Sequence, residues 1–314
     1  MEVLARLANL PGALPGACAQ GLIWGIMAIG VYITYRILDV ADLTVDGSFG
    51  TGGAVCVMAL LAGQNVWVAL LLALISGLAC GLITGLLHTF MGIPAILAGI
   101  LTQLSLYSIN LKILGKANQS INVDNYDLLI SLRWVKELAL RNPVAMVTLI
   151  TLALIGILYW FFGTELGCAI RATGDNEKMV RAQGINTDTM KLLGLMLSNG
   201  LVAFSGALIA QNQRYADITM GQGAIVIGLA SVIIGEVLFD RDGFLRRFFS
   251  MALGAVIYRI IIAFVIELGM QPTDLRLFTA ITVAAALSIP NIQGKAITLF
   301  RPRRVSAGCA VQSK

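Results

Sequence analysis

In a chain this apolar, the residues that could do chemistry stand out as three polar groups. The first is 42-DLTVDGSFGTGG-53. Asp42 and Asp46 are four apart, so on a helix they share a face, and a carboxylate pair there could hold a coupling ion. Ser48, Thr51 and Gly52 follow, offering hydroxyls and bare backbone to a passing solute. The second group is Asn199, Gln211 to Gln213 and 214-RYADITMGQG-223, which includes Gln222. The third is 163-GTELGCAIRATGDNEKMVRAQGIN-186, a charged stretch between two long apolar runs.

Catalysis fits none of them. A GxxxxGK[ST] phosphate loop is absent, since Gly294-Lys295 is followed by Ala296, and GxGxxG is absent too. His88 is the only histidine and stands at the end of an apolar run, which excludes a histidine-built metal site and a buried Ser–His pair. The five cysteines form no CxxC and read as small apolar residues of packed helices. No catalytic residue, metal site or cofactor is therefore expected on this chain.

Only 12% of residues are charged and 58% are hydrophobic, with a mean hydropathy of +0.85. Soluble domains carry about a quarter charged residues, so lipid must be the solvent for most of this chain. The net charge of +5 is then a topology signal and no sign of nucleic-acid binding, since no basic run is interleaved with aromatics. A spanning helix needs about 20 apolar residues. Such stretches occur at 17–36, 42–62, 66–88, 92–112, 143–163, 192–211, 219–238, 248–267 and 275–297. The expectation is an all-α polytopic membrane protein of about nine helices, residues 1–314 forming one transmembrane domain. Residues 1–15 lack the apolar core of a cleavable signal peptide. Lysine and arginine gather on the cytoplasmic side. With the N-terminus outside and the C-terminus cytoplasmic, Arg36, Arg171, Lys178, Arg181, Lys191, Arg246 and Arg247 all fall on the cytoplasmic side, so this orientation is expected.

An internal echo supports this plan. Asp42-Leu43-Thr44-Val45 precedes the body of one span, and Asp217-Ile218-Thr219-Met220 stands 175 residues later at another. Ile93-Pro94 has its counterpart in Gln271-Pro272, 178 residues on. Each matched pair of spans is an odd number of crossings apart, which is the arrangement of an inverted-topology repeat, a common transporter plan. Within that plan, Asp46, Ser48, Thr51, Gly52, Asn199 and Gln222 are the candidate solute-path residues. The glycines after Ser48 suggest a broken helix beside a path; the other reading is a turn whose aspartates cap the helix. Gly77, Gly81 and Gly85 recur at i, i+4, the spacing that lets helices approach closely in lipid. Glu236 and Glu267 are expected near span ends, and a structural ion pair is the role expected of the deeper Arg259.

The central stretch 164–191 reads as a cytoplasmic loop carrying a short helix. Asp175 or Asn176 caps it, and Gly184 ends it in the left-handed conformation. Its residues Gly167, Arg171-Ala172, Gly174-Asp175-Asn176 and Gly184-Ile185-Asn186 resemble the cytoplasmic signature of ATP-binding-cassette importer permeases of the branched-chain amino acid and ribose type. The similarity extends through 27-MAIGVYITYRILDVADLTVDGS-48 and Leu208 to Gly235, covering most of residues 20–290. Cys168 departs from it, many members having arginine there.

This resemblance implies a permease subunit in a bacterial plasma membrane. Two copies would surround the path, two ATPase subunits would carry ATP and Mg, and an extracytoplasmic protein would deliver the solute. Residues 164–191 would be the coupling loop, with Arg171, Asp175, Asn176, Lys178, Arg181 and Gly184 as its ATPase-coupling positions. Ala-Ile-Arg-Ala-Thr-Gly-Asp-Asn resembles a subgroup that accompanies amino acid binding proteins, often for aromatic amino acids. A sugar or nucleoside importer of the same family, or a stand-alone ion-coupled transporter, are the alternatives.

Overall fold

The computed structural model describes residues 10–121, 143–239 and 243–267, with residues 277, 280, 281 and 284 beyond them. Most of the span expected at 275–297, the Gln271-Pro272 echo and the loop at 122–142 lie outside the described residues, as does the side chain of Glu267.

Helix α1 (Leu10–Tyr32) runs on into a π-helical turn, Ile33–Ile37. Helices α2 (Thr44–Leu61), α3 (Val66–Thr89) and α4 (Ala95–Leu114) follow. After strand β1 (Asn118–Ser120) come α5 (Pro143–Phe162), the two short helices α6 (Glu165–Asp175) and α7 (Glu177–Ala182), and the long α8 (Thr187–Gln213). Strand β2 (Tyr215–Asp217), α9 (Ala224–Leu238) and α10 (Phe244–Glu267) complete the described chain. Among the described residues, seven helices are long and apolar enough to cross a membrane, so this is an all-α, multi-pass membrane protein.

The seventh apolar stretch, 219–238, is shorter than expected. Helix α9 begins only at Ala224, because residues 219 to 222 turn and Gly223 adopts a left-handed φ of 83°. A second correction concerns α2. It is not broken: the helix runs continuously through Gly50, Gly52 and Gly53. Glycine inside a helix costs about 1 kcal/mol relative to alanine. Here close packing offsets that cost, since a Cβ at Gly52 would overlap the Ala203 carbonyl of α8.

Helix α8 is the centre of the bundle and packs on α1, α2 and α3. Its contacts with α1 pair Ser198 with Gly30 and Ser205 with Ile23, so the two run antiparallel. Against α2 it pairs Asn199 with Ser48 and Gln211 with Cys56, so those two run parallel. The glycine stripe of α3 serves this packing, with Gly77, Gly81 and Gly85 against Ala203, Leu195 and Leu192 of α8. Strands β1 and β2 pair antiparallel, Asn118 opposite Asp217 and Ser120 opposite Tyr215, tying the C-terminal ends of α4 and α8. Helices α6 and α7 precede the other end of α8, about 40 Å away at 1.5 Å per residue. The coupling stretch and the small sheet therefore occupy opposite ends of the bundle.

Candidate functional site: a braced polar corner and a buried polar bridge

The charged stretch folds into a corner of two short helices. Thr164 starts α6 by accepting from the Gly167 amide at 3.4 Å. Asn176 ends α6 and starts α7, its Oδ1 accepting from the Met179 amide at 3.1 Å. Gly184, at φ 83°, carries the chain out of α7, and Asn186 then caps α8 by accepting from the amides of Asp188 and Thr189. Of the two caps open in the sequence, Asn176 is the one used, while the Asp175 side chain is exposed.

Charge pairs lock this corner to α8. Arg181 donates from Nη2 to Glu177 and to Asp188, each at 2.9 Å, and from Nε to Thr187 at 2.6 Å. Lys191 donates to the second Glu177 oxygen at 2.8 Å. The Lys191 hydrogen bond, first of all, holds the Glu177 carboxyl below the usual carboxylate range. Exposed ion pairs contribute little singly; here one guanidinium and one ammonium share one carboxylate, so the corner is braced as a unit.

Two other helices are joined as well. Gly174 lies directly against the Ile37 carbonyl at the end of the π-helical turn. The Arg171 guanidinium sits 4.5 Å from the ring centre of Phe244 at the start of α10. The outward side chains that take no part in these contacts include Asp175, Lys178, Met179 and Gln183. A cleft of about 400 Å³ opens beside the corner, between residues 38–41, His88, Pro94 and the Glu177–Lys191 pair.

The candidate path residues are brought together in part. Asn199, fully buried, bridges α2 and α8. Its Nδ2 donates to Asp42 at 2.6 Å, and its Oδ1 accepts from Ser48 at 2.7 Å. Asp42 also accepts from the Thr44 amide at 2.9 Å, closing a local turn at the entry to α2. A second run, Thr44–Thr84–Thr102, links α2, α3 and α4 at 2.7 and 3.0 Å. Asp46 turns elsewhere: its two oxygens accept from the amides of Gly223 and Ile225 at 3.0 and 2.9 Å, so it caps α9 from across the bundle. Thr51 donates back to the Gly47 carbonyl at 3.0 Å. Gly52 is enclosed against Ala203, and Gln222 is exposed on the turn before α9.

The threonine run is not legible in the sequence, because each threonine lies in a different helix. Asp217 repeats the Asp42 turn locally, its Oδ1 accepting from the Thr219 amide at 2.6 Å. Glu236 meets Arg36 at 3.3 Å near the ends of their helices. The ion pair expected for Arg259 is not found among the described residues; its guanidinium lies instead over the Trp24 ring, 5.2 Å from the centroid.

This corner, grafted on an apolar bundle, is matched by a family model. The family is the permease component of the branched-chain amino acid transport system, and the match covers residues 14–286. The chain belongs to this permease family. The permease is 41% identical over 273 residues to the tyrosine transport system permease protein of Clostridioides difficile, covering 87% of this chain and 90% of that one. It is 26% identical over 276 residues to the fructose import permease protein FruF of Bifidobacterium longum, covering 85% and 74%. It is also 26% identical over 215 residues to the autoinducer 2 import system permease protein LsrC of Yersinia pestis, covering 68% and 58%. No solved structure matches it. The permease is thus a transmembrane importer component of the ATP-binding-cassette class.

Proposed function

We propose that this permease conducts an amino acid, an aromatic one by preference, inward across a bacterial plasma membrane. Two copies enclose the path, and a separate ATPase docks under each copy on the α6–α7 corner. An extracytoplasmic binding protein delivers solute at the β1–β2 end. ATP and Mg belong to the ATPase, and this chain does no chemistry. The N-terminus is outside, and α6 and α7 face the cytoplasm. The Asp42 and Asp217 turns mark two inverted halves.

The observation that carries this reading is the corner itself. A protein in lipid has no need of a braced polar hairpin unless something grips it. The corner touches the end of α1, the start of α8 and the start of α10 through Ile37, Lys191 and Phe244. A push on α7 from below would reach those three helices together, as alternating access requires. Asp42 and Asp46 weigh against the ion-coupled alternative, since both oxygens of each already accept from the chain's own donors. The relative named for tyrosine supports the substrate preference; the one named for fructose supports the sugar alternative less, at 26% identity. The test is uptake by the reconstituted permease, ATPase and binding protein, comparing tyrosine, leucine, ribose and a nucleoside. ATP-dependent tyrosine uptake is expected; uptake of ribose or nucleoside alone would overturn the substrate assignment.

A further inference from the structure

A spanning helix carries one cation that the fold does not use. Arg259 lies in α10, on the face defined by Ala252 and Val256, which pack on Gly25 and Gly21 of α1. Its Nε is enclosed and has no hydrogen-bond partner. Among the described residues it meets no carboxylate, and the ring of Trp24 lies 5.2 Å from the guanidinium carbon. Trp24 is itself only 6% exposed, and its indole N–H is enclosed without an acceptor as well. The indole also stacks on Phe49 of α2, with centroids 5.2 Å apart.

Among the described residues, two donors on packed helices, one of them on a charged group, are thus enclosed with no acceptor. A charge in a membrane span is costly, and so is a buried donor without a partner. A cation–π contact offsets part of that cost. It leaves the N–H groups unsatisfied. What both donors lack is an anion with two acceptor oxygens in one plane, and a guanidinium is the side chain that best matches a carboxylate in that way.

We propose that Arg259 and Trp24 together form an anion-reading position that takes the carboxylate of the solute during translocation. Phe49, stacked on the indole, holds the ring in place. This rests on the amino acid reading above and adds the group that would exclude a neutral sugar. A lipid phosphate presents the same acceptor chemistry, so the test separates the two sources.

The experiment uses the complete importer in vesicles, with tyrosine as the probe. Arg259→Gln should cut tyrosine uptake by roughly tenfold or more, the order expected for losing a charge-assisted hydrogen bond. Arg259→Lys should retain part of it, and Trp24→Phe, which keeps the ring and removes the donor, should lose several-fold. ATPase association and basal hydrolysis should stay unchanged in all three. Wild-type uptake of tyrosine with undiminished uptake by Arg259→Gln overturns the site and leaves the function standing. Wild-type uptake of ribose alone overturns both. Failure of Arg259→Gln and Arg259→Lys alike to assemble makes the arginine a structural group. A defect seen in phosphatidylglycerol vesicles and absent in phosphatidylcholine vesicles assigns the guanidinium to a headgroup. Either result overturns the proposal.

Discussion

Replacing Asn199 by alanine tests the buried bridge between α2 and α8. The substitution removes the donor to Asp42 at 2.6 Å and the acceptor for Ser48 at 2.7 Å. Interhelical side-chain hydrogen bonds in membranes average about 0.6 kcal/mol, which sets the Ser48 contact. The bond to a carboxylate is stronger, about 1.5–3 kcal/mol. Asn199→Ala should therefore cost about 3 kcal/mol, while Ser48→Ala should cost under about 1 kcal/mol. On the scale of soluble proteins, the larger loss lowers the melting temperature by roughly 5–10 °C. The assay is thermal unfolding of the purified permease in detergent, followed by the loss of its monodisperse size-exclusion peak. Equal melting of the two variants, or a larger drop in Ser48→Ala, would refute the assignment of Asn199 as the bridge.

Gly52→Ala should lower the yield of folded permease sharply, because its Cβ would overlap the Ala203 carbonyl; Gly156→Ala, with open space around it, should be silent in the same expression assay. Gly184→Val forces a β-branched residue to a φ of 83°, a strain of about 1–3 kcal/mol, and should uncouple ATP hydrolysis from uptake in vesicles while leaving yield near normal. The depressed Glu177 carboxyl means that its contribution to the corner is complete above the ordinary glutamate value of about 4.3 and is lost as pH falls through its lower folded value. Proteolysis of the α6–α7 corner should therefore stay slow at neutral pH and accelerate only under strong acid; a rise already near pH 6 would contradict it.

Much of this fold was legible because hydropathy and helix length are local quantities. Eight apolar stretches coincide with helices, and both Asn176 and Gly184 announced their backbone roles, since capping and left-handed turns depend on one residue and its neighbours. What the sequence hid was partnership across the bundle. Asp46 shares a helix face with Asp42 by spacing, yet it caps α9 while Asp42 binds Asn199, because α9 and α8 approach α2 at different heights. Gly52 read as a weak point of a helix, and three-dimensional packing made it a point of contact with Ala203. Arg181 read as a polar group for a partner, and its donors are met within the chain by Glu177, Thr187 and Asp188. The outward residues Lys178 and Met179 are thus the better probes of docking.

The central claim, that a separate ATPase drives this permease through the α6–α7 corner, is tested most directly by the double variant Lys178→Glu, Met179→Glu. Neither side chain belongs to the Glu177–Arg181–Asp188–Lys191 brace, and both are exposed, so the fold should be unaffected. The measurement is co-purification of the ATPase subunit together with solute-stimulated ATP hydrolysis in reconstituted vesicles. The account predicts normal yield and melting of the variant, with ATPase recovery and stimulated hydrolysis both falling at least tenfold, a loss of about 1.4 kcal/mol or more in docking. Full ATPase recovery and undiminished stimulation in a well-folded double variant would contradict it.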